Sequence, residues 1–338
     1  MSKNISIADI ASALHLSKTT VSFILNGRAE EKRISDKVVK RVLAYVEEVG
    51  YRPNSLAKSL RTGKSNTIGL MVEDISGPFF ASIARLIEDR AYENGYKIIY
   101  CSTDNNTAKT HDLIGMFRDR HVDGYIIAPP PGIENDIAEL LKNDLPVILF
   151  DRYLPLIDTD HVIVDNQFGT YNATRHLIEQ GYKNIAYITF ASTQTQMTDR
   201  MLGYHKAIDE HKLKPNVKEI VFNRNDAEVI EPLTHFLQEN KHLDAVLFGT
   251  DHIGTCGLKV INKLGLRVPN DLAVASFDDY SVFELYTCPV TAVAQPITAI
   301  ADSIITLLLA RLNAKTKAPV QKITLSTELI VRSSSKAK

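Results

Sequence analysis

The side chains able to do chemistry fall into two groups. The first is dense: Ser17, Lys18, Thr19, Thr20, Ser22 and Phe23 put four hydroxyls, an ammonium and an aromatic ring within seven residues. Such donors at the start of a helix bond phosphate oxygens and base-edge acceptors, a lysine suiting guanine and a threonine being less selective. The second group is dispersed, and each member follows an apolar run: Asp74 with Phe79 and Phe80, Asp151, Gln194, Asp251 and Asp278. Carboxylates beside an aromatic platform suit a ligand rich in hydroxyls, because a buried acid needs donors to offset desolvation. A sugar supplies them. The ten histidines show no H-E-x-x-H spacing, and no G-x-S-x-G elbow, P-loop or G-x-G-x-x-G is present, so no catalytic residue, metal ligand or cofactor is nominated and an enzyme is not expected.

Helices must position the first group. Ser6 precedes Ile7 with Asp9 three residues on, a capping-box pattern, and Ile7, Ile10, Ala11 and Leu14 repeat at helical spacing. Ser17 caps a second helix, with Val21, Ile24 and Leu25 inward and Asn26-Gly27 at its close. Only His15-Leu16 separates the two, so they cross steeply as a helix-turn-helix, whose second member enters the major groove. Lys18 and Thr19 then reach bases, Ser17, Thr20 and Ser22 reach phosphate, and Phe23 offers a thymine methyl apolar contact without a hydrogen bond. A third helix runs from Ser35 to Gly50, with Val38, Val39, Val42, Leu43, Val46 and Val49 completing a small core. "NSLAKSLRTGK" at 54–64 reads as a helix too short to stand alone. Formal charge is +6 over the first 64 residues and −7 over the rest, against −1 overall. A basic head on an acidic body points to a polyanion partner for the head.

"SIADIASALHLSKTTVSFILNG" and "VGYRPNSLAKSLRTGKSNTIGL", with the body that follows, resemble the LacI/GalR family of bacterial transcription regulators over nearly the whole chain. The resemblance implies that residues 54–62 form a hinge helix, that two copies pair in a homodimer on a palindromic DNA operator, and that Leu60 wedges into the minor groove. The bent duplex then offsets the unstacking with added contact. The DNA-facing set is completed by Ser6, Asn26, Tyr51, Asn54, Ala57, Lys58 and Arg61. Phe23 stands where many relatives carry Arg or His, and the loop "GRAEEKRIS" leaves the place of Arg28, Lys32 and Arg33 open.

From Asn66, apolar runs alternate with amphipathic stretches: "TIGLMVE", "KIIYCS", "VDGYIIA" and "PVILF", then "IAYITF", "KEIVF", "DAVLFG" and "LAVASF". Continuous apolar strands between helices signal parallel sheets covered on both faces. "HVDGYIIA" at His121 recurs as "HLDAVLFG" at His242, so the body is two similar doubly wound α/β subdomains. Ligands in such sheets sit beyond the carboxyl ends of strands. The resemblance implies subdomains of periplasmic-binding-protein type and assigns effector contacts. Arg200 in "MTDRMLGY" matches an effector-gripping arginine, Asp251 and Asp278 match acidic cleft positions, Phe79 and Phe80 occupy the stacking segment, and Asp151 and Gln196 are further candidates. Gly77-Pro78 replaces the Asn-Pro of many relatives.

The expected organisation is a helix-turn-helix domain at 1–53, a hinge at 54–65 and an effector-binding and dimerisation domain at 66–338. Its subdomains are expected near 66–165 plus 291–321 and 166–290 plus 322–333. No secretory signal, membrane span or C-x-x-C pair is visible, which fits a cytoplasmic protein, and the final residues carry no leucine heptads, which fits a dimer. The expected function is DNA-binding regulation, as a repressor, under a small-molecule effector, most simply a sugar. The alternatives are a purine or other nucleobase effector, or a sugar-binding protein that does not bind DNA.

Overall fold

The computed structural model describes residues 5–51, 63–223, 225–314, 316 and 318–337. The chain divides into two compact units, residues 1–65 and 66–338.

The first unit holds α1 (Ile7–Ala13), α2 (Lys18–Leu25) and α3 (Asp36–Glu48). Ser6 Oγ accepts from the Asp9 amide at 3.2 Å while Asp9 Oδ2 accepts from the Ser6 amide at 2.8 Å, so the capping box forms. Ser17 Oγ accepts from the Thr20 amide at 3.0 Å. Gly27, at φ +70°, lets the Arg28 amide turn back to the Phe23 carbonyl at 2.9 Å and close α2. Ile10, Ala11, Val21, Ile24 and Val42 are buried together. Arg41 donates to the Leu14 carbonyl at 2.7 Å, so α3 satisfies the end of α1. Leu43 does not join the core and is 47% exposed. It lies about 100° round the helix from Val42, off the buried stripe.

The second unit begins with β1 (Thr67–Val72), α4 (Pro78–Glu93), β2 (Lys97–Ser102), α5 (Thr107–Asp119), β3 (Gly124–Ile127), α6 (Glu134–Lys142), β4 (Val147–Phe150) and β5 (Asp160–Val164). It continues with α7 (Asn166–Glu179), β6 (Ile185–Phe190), α8 (Thr195–Glu210), β7 (Asn216–Ile220), α9 (Asp226–Glu239), β8 (Ala245–Phe248), α10 (Asp251–Lys263), β9 (Ala273–Phe277) and α11 (Ser281–Leu285). The chain closes with β10 (Thr291–Ala294), α12 (Ile297–Asn313), β11 (Lys322–Leu325) and β12 (Glu328–Ile330). Two six-stranded sheets result, ordered β2-β1-β3-β4-β5-β11 and β7-β6-β8-β9-β10-β12.

The two orders are the same, so the repeated sequence "HVDGYIIA" and "HLDAVLFG" supplies the same central strand, β3 and β8, to each sheet. Only β12, antiparallel to β10, breaks the parallel pairing of the described strands. Central strands such as β3, β4, β6 and β8 are buried throughout, as continuous apolar runs require when helices cover both faces. Helices α7 and α8 pack closely because position 203 has no side chain. A Cβ on Gly203 would stand 2.2 Å from the Gln167 carbonyl oxygen.

The chain crosses between sheets three times, after β5, after β10 and between β11 and β12. The expected boundaries are therefore corrected in two places. Residues 291–294 pair with β9 in the second sheet, and residues 322–325 pair with β5 in the first. The chain changes sheet after β10, where Pro296 lacks the amide a strand needs and instead starts α12, and again across Ser326-Thr327.

The head core is small, so deleting one buried side chain should unfold it. Ile10→Ala is expected to cost about 2–5 kcal/mol, the usual range for such a cavity. In hydrogen exchange of the full chain, amides of α1–α3 should lose protection while those of β6 keep theirs. Retained protection in α1–α3 would contradict the packing described.

Candidate nucleic-acid interface and ligand cleft

In the head, Lys18 and Thr19 are exposed on the first turn of α2, while Thr20, Ser22 and Phe23 are half-buried. Ser17 and Thr20 bond one another at 2.8 Å as well as through the cap. Asn26 Nδ2 donates to the Ser22 carbonyl at 2.6 Å and to Ser22 Oγ at 3.2 Å, so both side chains are tied to the helix end. Ser6 is committed to its capping box and Tyr51 is half-buried against the head core. The 28–33 loop folds over Phe23: the Arg28 guanidinium lies 5.6 Å and the Lys32 ammonium 5.5 Å from the ring centre. Glu31 holds both, accepting from Arg28 Nε and Nη2 at 2.7 Å each and lying 2.9 Å from Lys32. Those bonds hold its carboxyl down, to about 2. Asn54, Ala57, Lys58, Leu60 and Arg61 lie outside the described residues.

In the body, the carboxyl ends of the two sheets meet. Gln194 Nε2 donates to Asn105 Oδ1 at 3.1 Å, and the Tyr153 amide donates to Thr195 Oγ1 at 3.3 Å, each bond joining one subdomain to the other. At the centre stands Arg200, only 3% exposed. Its Nε donates to Asn166 Oδ1 at 2.9 Å, and its Nη1 donates to the Gly249 carbonyl at 2.8 Å and to Asp278 Oδ2 at 3.3 Å. The guanidinium lies over Phe277 at 3.7 Å from the ring centre. Nη2 makes no hydrogen bond to the described residues. Asp278 Oδ1 accepts from Gln295 Nε2 at 2.6 Å.

Asp151 and Asp278 follow the equivalent strands β4 and β9, and both are left-handed, at φ +66° and +67°. Burial pushes the Asp151 carboxyl up to about 6 against the pull of Arg152 and Arg200. Burial, reinforced by the charge of Asp278, pushes Asp251 up to about 7. The helix cap beside Asp251 is made by Thr250, whose Oγ1 accepts from the Ile253 amide, so Asp251 is not needed for that duty. Gln196 is buried, with Nε2 on Gln194 and Oε1 unpartnered among the described residues.

Asp74 is engaged locally, accepting from the Ser76 amide and hydroxyl at 2.9 and 2.7 Å. Phe79 and Phe80 pack edge to face at 5.1 Å, and Phe80 meets Phe150 of β4, so this pair is partly core. Gly77 gives α4 no side-chain cap. Asp279, adjacent to Asp278, pairs instead with Arg332 at 2.8 Å. A 570 Å³ depression lined by His111, Gly115, Met116 and Arg120 lies on one face of α5, and among the described residues no second element lines it.

Three partners of the cleft do not stand out in the sequence, Asn166, Phe277 and Gln295, while Arg152 does, as the neighbour of Asp151 after "PVILF". Asn166 and Gln295 lie just beyond β5 and β10, the strands whose apolar runs were not singled out. Arg152, 2% exposed, donates to Glu73 at 2.8 Å and lies 3.4 Å from Asp151.

Residues 6–54 match the model of bacterial regulatory proteins of the lacI family, and residues 174–335 match that of the periplasmic binding protein-like domain. Over 334 residues the chain is 32% identical to the HTH-type transcriptional regulator DegA of Bacillus subtilis, with 97% of each covered. The chain belongs to the LacI family. It is a DNA-binding transcription regulator with a ligand-binding body. This LacI-family chain is also 30% identical over 338 residues to the HTH-type transcriptional repressor PurR of Pasteurella multocida, covering 98% of this chain and 99% of that one. The solved transcriptional regulator CelR–cellobiose complex matches it with a TM-score of 0.71 at 26% identity, covering 98% and 99%. Among the described residues no helix is long and apolar enough to cross a membrane.

The raised carboxyls give the body of this LacI-family regulator a signed pH dependence. A buried acid whose folded value exceeds its unfolded value imposes its ionisation cost as pH rises through the window between them. For Asp251 that window runs from 3.8 to about 7. Asp251→Asn should therefore raise the Tm at pH 8, and calorimetry should show the gain shrinking toward pH 4. A gain independent of pH would show that Asp251 is not ionised at a cost.

Proposed function

We propose that this LacI-family regulator is a repressor that binds a palindromic operator as a homodimer, and that a sugar held in the cleft shifts its operator affinity. The observation that carries this reading is Arg200: a buried guanidinium fixed by three acceptors, with Nη2 directed to none of the described residues, at the meeting edge of two sheets. A guanidinium of this kind donates to ligand oxygens, and Asp151, Asp251 and Asp278 accept from ligand hydroxyls. The Gln196 carbonyl oxygen adds a further acceptor. The cellobiose bound by the CelR relative is a ligand of that class. Effector control follows if the ligand favours one angle between the subdomains, since a ligand shifts an equilibrium only through its differential affinity for the two states.

On the DNA side, exposed Lys18 and Thr19 take the base edges and the caps hold the α2 start in register. The hinge residues Asn54, Ala57, Lys58, Leu60 and Arg61 belong to the same reading. A nucleobase effector is the rival.

A thermal-shift screen of the full chain against pentoses, hexoses, disaccharides and purines decides between them. A sugar that binds the folded state should raise Tm in proportion to the logarithm of its concentration, and a rise with purines alone would replace the sugar by the nucleobase. Arg200→Lys keeps the charge and loses the fork. It should weaken effector binding by about tenfold to a hundredfold in calorimetric titration, the worth of a hydrogen bond to a charged group. Unchanged affinity would remove Arg200 from the pocket. Lys18→Ala should weaken binding to a duplex selected from a palindromic pool by about tenfold to a hundredfold at fixed salt, and equal loss on random duplex would assign Lys18 to phosphate.

A further inference from the structure

Outside the cleft, on the flank of the second subdomain, three side chains of different chemistry converge. His252 and Cys256 are four residues apart on α10 and so share one face. Asp226 opens α9 opposite them. One donor atom from each, carboxylate oxygen, imidazole nitrogen and sulfur, lies within 4.8 Å of the other two. Asp226 Oδ1 is 3.2 Å from His252 Nε2. In a tetrahedral zinc site with bonds of about 2.0–2.1 Å to nitrogen and oxygen, the edge between those two ligands is about 3.3 Å. The Asp226–His252 separation therefore already has the length of a coordination edge.

We propose that Asp226, His252 and Cys256 form a binding site for a borderline-soft divalent ion such as zinc, with a fourth position left to solvent. The mixed oxygen, nitrogen and sulfur set selects such an ion over magnesium or calcium, which take oxygen ligands. Cys256 is fully buried, whereas Asp226 and His252 are partly exposed, so the ion enters from their side. Phe190 and Phe222 stand 5.5 and 5.9 Å from the imidazole, ring centre to ring centre, and fix its place.

Without metal, burial and the neighbouring Asp226 raise the Cys256 thiol to about 11, so it is neutral. Binding breaks the S–H bond, forms a metal–thiolate bond and releases that proton to solvent. To ligate through Nε2, His252 gives up the hydrogen bond that this nitrogen makes to Asp226. Lys259, whose ammonium holds Asp226 Oδ2 at 2.5 Å, has a half-exposed side chain and can move into water. His252 adjoins Asp251, so the site borders the cleft without sharing its residues.

The test uses the full chain, stripped with a chelator and titrated with cobalt(II) alone. The expected result is one equivalent bound, with a sulfur-to-cobalt charge-transfer band and tetrahedral visible bands, both displaced by zinc. Cys256→Ser should abolish the charge-transfer band. Asp226→Asn, a substitution at a partly exposed position, should weaken binding more than about tenfold, since even outer-sphere contacts cost that much. A wild-type chain with no such band overturns the proposal. So does a band that survives Cys256→Ser, which would place the thiolate at Cys101 or Cys288, or unchanged affinity in Asp226→Asn.

Discussion

A cation removed from water must be met by acceptors on several sides, and Arg200 imposes that demand on the ligand edge of the second subdomain. Its partners come from the start of α7, the end of β8 and the residue after β9, while the face of Phe277 covers the guanidinium. Gln295, at the second chain crossing, joins through Asp278. One buried charge thus fixes strand ends that are far apart in sequence, and a neutral side chain there would take a donor from Asn166, the Gly249 carbonyl and the half-buried Asp278.

The duplicated architecture places an aspartate at the same point of each sheet, whereas the arginine beside it comes from a different place in each half. Asp151 and Asp278 occupy the same left-handed position after equivalent strands, and each lies beside a buried arginine, Arg152 or Arg200. The halves differ in what holds the cation. Arg152 turns to Glu73 within its own subdomain, whereas Arg200 binds one side chain and one carbonyl besides its aspartate. Two raised carboxyls, Asp151 and Asp251, then share a cleft with these cations, so its charge depends on protonation near neutrality.

Sequence carried the fold a long way because its signals were local and strong. Ser6, Ser17, Gly27 and Gly50 mark helix ends by the hydrogen bonds or backbone angles they favour, and six-residue apolar runs such as "IAYITF" belong to strands buried on both faces. What escaped was short or non-local. "TAVA" carries too little apolar bulk to read as a strand, so the sequence pattern places residues 291–294 with the first subdomain, the structure pairs them with β9, and Gln295 has no strand before it to mark it. Asn166 escaped for the same reason, since β5 precedes it and begins with the polar pair Asp160-His161. The Asp226–His252–Cys256 convergence spans two helices, and no spacing rule connects 226 with 256.

The fold of the 28–33 loop bears on how the head meets a polyanion. Glu31 neutralises part of Arg28 and Lys32 while holding both against Phe23, and it stays ionised well into acid. Counterion release scales with the phosphates a protein neutralises. Two of the head's basic side chains already have an internal anion, so its attraction to a duplex declines with added salt less steeply than its inventory of lysines and arginines implies.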